Sequence, residues 1–210
     1  MLINKLHYIA TTAQAAELAC RGGVRWVQLR VKNLPAAEWQ QRARDVQAVC
    51  RHHGATLIIN DNPALALEIG ATGVHLGQQD MPPAEARALL GQGFIIGGTA
   101  NTFADIEKLV AAGVDYIGLG PFRFTTTKEK LSPILGLAGY ADVLARCRAA
   151  GFTTPVVGIG GVELADVAAL QATGLHGVAV AGAIGGAADP TATARLFAQE
   201  LAEQQSVASL

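Results

Sequence analysis

Two acids carry the first chemical signal in this chain. The apolar run Leu57-Ile58-Ile59 ends at Asn60-Asp61, and the run Gly73-Val74-His75-Leu76-Gly77 ends just before Gln78-Gln79-Asp80. The first run is β-branched and too short for a helix, so it reads as a buried parallel strand. Pro63 stands where a helix would begin, and Gly70 ends it after about two turns. A strand, a helix and the next strand joined by a right-handed crossover are parallel, which brings Asp61 and Asp80 to the same C-terminal edge of a sheet. Paired carboxylates there suit a hard cation such as Mg²⁺, which takes oxygen ligands and keeps waters for a phosphate-bearing substrate. The same acids could simply cap following helices, as Asp80 before Met81-Pro82-Pro83 would do. Spacing alone leaves both readings open.

Groups suited to anions are spread more widely. Alternation along Gln28-Leu29-Arg30-Val31-Lys32 places Gln28, Arg30 and Lys32 on one side, an amide and two cations facing inward. Buried cations are costly unless an anion meets them, and Arg offers the fork that suits phosphate; surface charge at a strand end is the plainer explanation. Thr125, Thr126, Thr127 and Lys128 lie in the longest loop, 121–135, which reads as a phosphate-binding arm or as solvated chain. Gly158-Ile159-Gly160-Gly161 and Ala181-Gly182-Ala183-Ile184 allow close backbone approach to a phosphate, or tight helix packing. A diphosphate of about three charges, two acids, Mg²⁺ and the cations Arg30, Lys32 and Lys128 would nearly balance, as a leaving diphosphate requires. Gly118-Leu119-Gly120 lacks the third glycine of a dinucleotide fingerprint. No Ser-His-Asp or Cys-His set is apparent, His52-His53 lacks metal-ligand spacing, and His75 reads as structural.

The elements that must position these groups repeat one theme. Strands are expected over 6–10, 26–30, 57–61, 73–77, 94–98, 116–120, 155–159 and 177–181. Helices follow over 13–21, 35–53, 64–69, 82–90, 102–112, 136–150, 163–172 and from 190 to about 204. Eight strand-helix pairs at roughly 25-residue spacing predict a single (β/α)₈ TIM barrel over residues 1–205, with 206–210 a frayed tail. A doubly wound open sheet is the alternative; the count, and strands apolar on both faces, favour closure. A chain of 210 residues can bury a full core, and half its residues are hydrophobic without a membrane-length apolar run. A net charge of -1 with no Lys/Arg cluster excludes a global nucleic-acid footprint. The N-terminal residues lack a signal-peptide core, so a soluble cytoplasmic protein is expected. Cys20, Cys50 and Cys147 read as reduced packing residues, neither disulfide nor zinc. The oligomeric state stays open, a homo-oligomer included.

Taken together, the pieces resemble the thiamine phosphate synthase family. The matching segments are QLRVK at 28–32, IIND at 58–61, GVHLGQQD at 73–80, DYIGLGPF at 115–122, TTTK at 125–128, IGG at 159–161 and GVAVAGAI at 177–184, nearly the whole chain in order. The resemblance implies a (β/α)₈ barrel that joins the diphosphate of an amino-hydroxymethyl-methylpyrimidine to a thiazole phosphate, releasing diphosphate and thiamine phosphate. It further implies that Gln28, Leu29, Arg30, Val31, Lys32, Asn60, Thr99 and Lys128 hold the pyrimidine diphosphate, with Arg30, Lys32, Thr99 and Lys128 in catalytic roles. Asp61 and Asp80 match Mg²⁺ ligands; Thr125, Thr126, Thr127, Gly161, Ala181 and Gly182 match the thiazole phosphate site. The implied mechanism is dissociative: diphosphate leaves, the aminopyrimidine carries the methylene cation, and the thiazole nitrogen captures it. Thr99 stands for a serine, Asn101 where many members carry histidine, and Gly182 where many carry serine. Small-molecule substrates alone are implied as partners, with neither nucleic acid nor membrane. A thiazole tautomerase on the same scaffold would be expected to carry histidine near 101 and to lack the acid pair and Lys128. A non-catalytic phosphate-binding barrel would need only the glycine loops.

Overall fold

The computed structural model describes residues 2–124 and 133–207 of the protein. Eight parallel strands close on themselves in sequence order: β1 Leu6–Ala10, β2 Trp26–Leu29, β3 Thr56–Asn60, β4 Gly73–Leu76, β5 Ile95–Ala100, β6 Tyr116–Leu119, β7 Val156–Ile159 and β8 Gly177–Val180. Closure is made by β1 against β8, with Leu6 opposite Val178 and Tyr8 opposite Val180. The barrel expectation therefore holds, and the open sheet is excluded. Helices follow each strand: α1 Ala13–Arg21, α2 Ala36–His52, α3 Pro63–Ile69, α4 Pro83–Leu90, α5 Phe103–Ala111, α6 Gly136–Ala149, α7 Val167–Ala172, the single turn α8 Gly182–Gly185, and α9 Pro190–Val207.

Local sequence explains most boundaries. The Thr12 hydroxyl accepts the Ala15 N–H at 3.1 Å, Asn62 Oδ1 accepts Leu65 N–H at 2.9 Å, and Thr102 with Asp105 forms a reciprocal capping box. Gly70 ends α3 at φ 64°, the left-handed C-terminal position that glycine tolerates best. Most boundaries shift by a residue, the single turn α8 is unexpected, and three larger differences stand out. β5 runs on to Ala100 and so takes Thr99 into the strand, α7 is preceded by a 3₁₀ turn over Leu164–Asp166, and α9 continues to Val207.

Hydrophobic residues form two shells. The outer shell lies between sheet and helices and includes Leu29, Ile59, Leu76, Ile117 and Val180. The inner one fills the barrel with Ile9, Trp26, Ile58, Ile95, Tyr116, Val157 and Ala179, the alternate residues of the strands. Towards the N-terminal ends of the strands the filling is aromatic: His7 stacks on Trp26 at 4.3 Å, and both meet the Tyr116 ring edge-on. Tyr116 fits because its neighbour is glycine, since a Cβ at Gly97 would stand 2.2 Å from the phenol ring. Burial pushes the His7 imidazole down to about 3, so it is neutral, with its ring nitrogen 2.8 Å from Asn4 O. This aromatic floor leaves the polar inward positions concentrated at the opposite, C-terminal mouth.

Cys20, Cys50 and Cys147 are buried and unpaired, and burial raises the Cys20 and Cys50 thiols to about 11 and 12. They are packing residues. Among the described residues, no helix is long and apolar enough to cross a membrane.

Candidate active site

Each strand's last inward position reaches the mouth, and there the acids come together. Asp61 follows β3 directly; its N–H donates to His75 O at 2.9 Å, and its φ of 63° turns the chain out of the sheet. A non-glycine residue at that φ is uncommon, and Asp is among the types that tolerate it. Asp80 is held by the turn after β4: its Oδ2 accepts the Gly77 N–H at 2.6 Å and its own N–H donates to Gly77 O at 3.2 Å. A side chain at position 77 would stand 2.8 Å from that carboxylate oxygen, so the turn requires glycine.

Burial, and then the neighbouring Asp80 carboxyl as hydrogen-bond partner and as charge, raise Asp61 to about 7, while Arg30 and Lys32 pull it back. These four side chains therefore sit within electrostatic reach of one another. The capping reading of the acids fails at Asp61, because Asn62 caps α3, and at Asp80, because α4 is entered through Pro82 with no side-chain cap. Two adjacent carboxyl side chains suit a hard divalent ion completed by substrate oxygens and water. Among the described residues there is no cluster of three or more such ligands, so those residues alone do not build a complete cage.

Gln28 points into the barrel, buried, and its amide donates to Asn60 Oδ1 at 2.7 Å, tying β2 to β3 beneath the acids. Arg30 begins the loop beyond β2, anchored by its N–H to Ala10 O at 2.9 Å. Leu29 and Val31 differ from their neighbours: both side chains pack into the outer shell, so only their backbone is available to a ligand. Thr99 meets His75 at 3.0 Å, and His75 in turn meets the Tyr116 hydroxyl at 3.0 Å. A polar chain thus climbs from the aromatic floor to the mouth through His75, which is buried, as its structural reading expects. The signal was present in the alternation of Gly73, His75 and Gly77, which turns one face of β4 inward.

The other side of the mouth is built from glycine backbone. Tyr140, buried in α6, sends its hydroxyl to Leu119 O and accepts the Ile159 N–H at 3.2 Å, setting β6 and β7 level. Gly160 and Gly161 have φ 93° and 68°, and a Cβ on either would press into Pro121 or Arg123. Ala181 and Gly182 follow β8 and open α8; a side chain at Gly182 would meet nothing within 4 Å, so the space above it is open. Asn101 bonds through its amide to Gly120 O, linking the ends of β5 and β6. Thr125, Thr126, Thr127 and Lys128 lie outside the described residues. A separate cleft of about 240 Å³, lined by Cys147, Arg148, Phe152 and His176, opens at the N-terminal end of β7, away from all of these groups. Arg148 and His176 there are already engaged by Thr173 O and Ile3 O.

Comparison with known proteins identifies the family. The family model described as thiamine monophosphate synthase matches residues 1–184. A thiamine-phosphate synthase of Phocaeicola vulgatus is 50% identical over 178 residues, spanning 85% of this chain and 86% of that protein. One of Bacteroides fragilis is 49% identical over 177 residues, spanning 84% and 87%. The solved structure of a thiamine phosphate pyrophosphorylase from Pyrococcus furiosus superposes with a TM-score of 0.84 at 26% identity, over 95% of this chain and 96% of that one. The fold alone extends further, to a 3-hexulose-6-phosphate synthase at TM-score 0.66 and 21% identity, over 94% of this chain and 100% of that one. With a family model covering most of the chain, and relatives near half identity over most of both lengths, the chain belongs to the thiamine monophosphate synthase family and is a transferase of that class.

Proposed function

We propose that residues 1–205 form one catalytic domain that condenses an amino-hydroxymethyl-methylpyrimidine diphosphate with a thiazole phosphate, with Mg²⁺ as cofactor, giving thiamine phosphate and diphosphate. The observation that carries this reading is the adjacent carboxyl pair Asp61 and Asp80, set beside Arg30 and Lys32 at the mouth. A monophosphate binder has no use for a divalent-cation site flanked by two cations. A diphosphate leaving group does, because its charge grows as the carbon–oxygen bond breaks.

Asp61 and Asp80 would hold the metal, which supplies charge neutralisation to the diphosphate oxygens. Arg30, Lys32 and Lys128 are assigned to the same diphosphate, Arg30 by its planar fork and the lysines as point charges. Gln28 and Asn60 present a fixed amide pair below it, and the Thr99 hydroxyl, oriented by His75, offers a further hydrogen bond. Gly161, Ala181 and Gly182, with Thr125, Thr126 and Thr127, are assigned to the phosphate of the thiazole. Catalysis then consists of aligning the two rings, stabilising the departing charge and keeping water from the pyrimidine methylene cation until the thiazole nitrogen captures it. No general base is required in that sequence.

The acid pair and the absence of histidine at 101 favour this reading over a thiazole tautomerase, which would need a proton shuttle there. We also infer a cytoplasmic protein with small-molecule partners only, consistent with three buried reduced cysteines. The test is direct: purified protein is incubated with both substrates, with Mg²⁺ or with chelator, and the coupled product is measured. Product only with metal supports the proposal; none under either condition overturns it.

A further inference from the structure

The segment that leaves β6 does more than connect. Phe122 N–H donates to Ile159 O at 2.9 Å, Arg123 N–H to Gly160 O at 2.9 Å, and Arg123 Nη1 to Gly161 O at 2.7 Å. Three successive carbonyls of the loop after β7 are therefore drawn towards the continuation of β6. A trans peptide unit is planar, with its C=O and N–H opposed. Fixing those carbonyls on the β6 side thus turns the N–H groups of Gly160, Gly161 and Val162 the other way, towards β8, where Ala181 and Gly182 stand. None of the three N–H groups has an acceptor among the described residues.

Arg123 is itself held in place. Its Nη1 and Nη2 each lie 2.9 Å from an oxygen of Asp166, a two-point grip, and the guanidinium stands 5.0 Å from the Phe122 ring centre. Asp166 accepts the Glu163 N–H at 2.8 Å in the same network, so the clamp spans the whole loop from Gly161 to the 3₁₀ turn. The Arg123 side chain is 45% exposed, and ion pairs so exposed contribute little to stability. What the clamp does is fix direction.

We propose that Arg123, gripped by Asp166, is a positioning residue that aims the Gly160, Gly161 and Val162 N–H groups at a phosphomonoester lying between the ends of β7 and β8. The inference rests on the proposed function for the identity of that ligand, the thiazole phosphate, and deepens it by naming what orients its site. The guanidinium itself does not touch the ligand. It acts through the backbone, and its loss lets the glycine loop rotate without emptying the diphosphate side.

The experiment compares wild type with Arg123→Ala, Arg123→Lys and Asp166→Asn. It measures kcat, KM for each substrate, and binding of inorganic phosphate by calorimetry, after thermal melts confirm folding. Arg123→Ala should raise KM for the thiazole phosphate, and weaken phosphate binding, by roughly tenfold to a hundredfold. Both kcat at saturation and KM for the pyrimidine diphosphate should stay within about threefold. Arg123→Lys and Asp166→Asn, each keeping part of the grip, should fall between. An unchanged thiazole phosphate KM, or parallel losses for both substrates, overturns the positioning role while leaving the synthase reading intact. Wild type that neither couples the substrates nor binds phosphate overturns both. If Arg123→Ala fails to fold, the two conservative variants decide the matter by the same split.

Discussion

Replacing Asp61 with asparagine should make the metal-free protein more stable, in a manner that depends on pH. Asparagine is the informative choice because it keeps the side-chain shape and tolerates the left-handed backbone at φ 63°, so no strain is added. In the folded wild type the Asp61 carboxyl is raised to about 7 by burial and by the bond and charge of Asp80, against 3.8 when unfolded. Its folded form holds the proton more tightly, so the stability contribution is full below about 3.8 and is lost as pH rises through about 7. Unscreened, that displacement corresponds to ~4 kcal/mol above neutrality. Although its carboxyl is partly desolvated beside Asp80, the residue as a whole is exposed to solvent at the mouth, and screening brings the expected figure to ~1–2 kcal/mol, a melting difference of roughly 2–8 °C. The assay is denaturant unfolding of both proteins in chelator between pH 4 and 8. The variant should match wild type near pH 4, and its advantage should open up to about pH 7 and then stay level. Added Mg²⁺ should stabilise wild type above pH 7 and leave the variant nearly unmoved. A stability difference that is flat with pH would refute the raised Asp61 carboxyl; equal stabilisation of both proteins by Mg²⁺ would remove Asp61 from the metal site.

Thr99→Ala should lower turnover by about tenfold if the hydroxyl meets substrate, while Thr99→Ser should recover most of it; equal losses would assign the effect to packing on His75. Lys128→Ala should cut kcat by roughly a hundredfold or more in steady-state assays, and a change in melting temperature alone would make it structural. Gly97→Ala forces a methyl to 2.2 Å from the Tyr116 ring and should cost ~1–3 kcal/mol in denaturant unfolding. A neutral result there would mean that the aromatic floor can shift.

Eight apolar runs, each bounded by glycine, proline or a capping residue, were enough to identify the barrel, because strand and helix signals are local and the rule of right-handed crossover leaves few ways to arrange them. The acid pair was legible for the same reason: a residue just past a parallel strand must emerge on the C-terminal edge. Chemistry that depends on which side chain meets which was not legible. Leu29 and Val31 fall within a segment that resembles a binding motif, yet alternation sends both side chains away from the mouth. His75 is the buried core residue its sequence context suggests, but its partners Tyr116 and Thr99, 41 and 24 positions away in the chain, are visible only in the fold.

The same division holds for the clamp. Arg123 lies in the loop after β6, and Asp166 in the 3₁₀ turn before α7. Nothing local announces that they meet 43 positions apart or that the guanidinium also takes Gly161 O. Local propensities and residue spacing determined where strands, helices and their ends would fall, since those depend on neighbours a few positions away. Closure of β8 on β1, the approach of the Asp61 and Asp80 carboxyls, and the direction of the glycine amides were decided by packing alone. Each depends on angstrom-scale approach between distant segments, and that distance exists only once the sheet has closed.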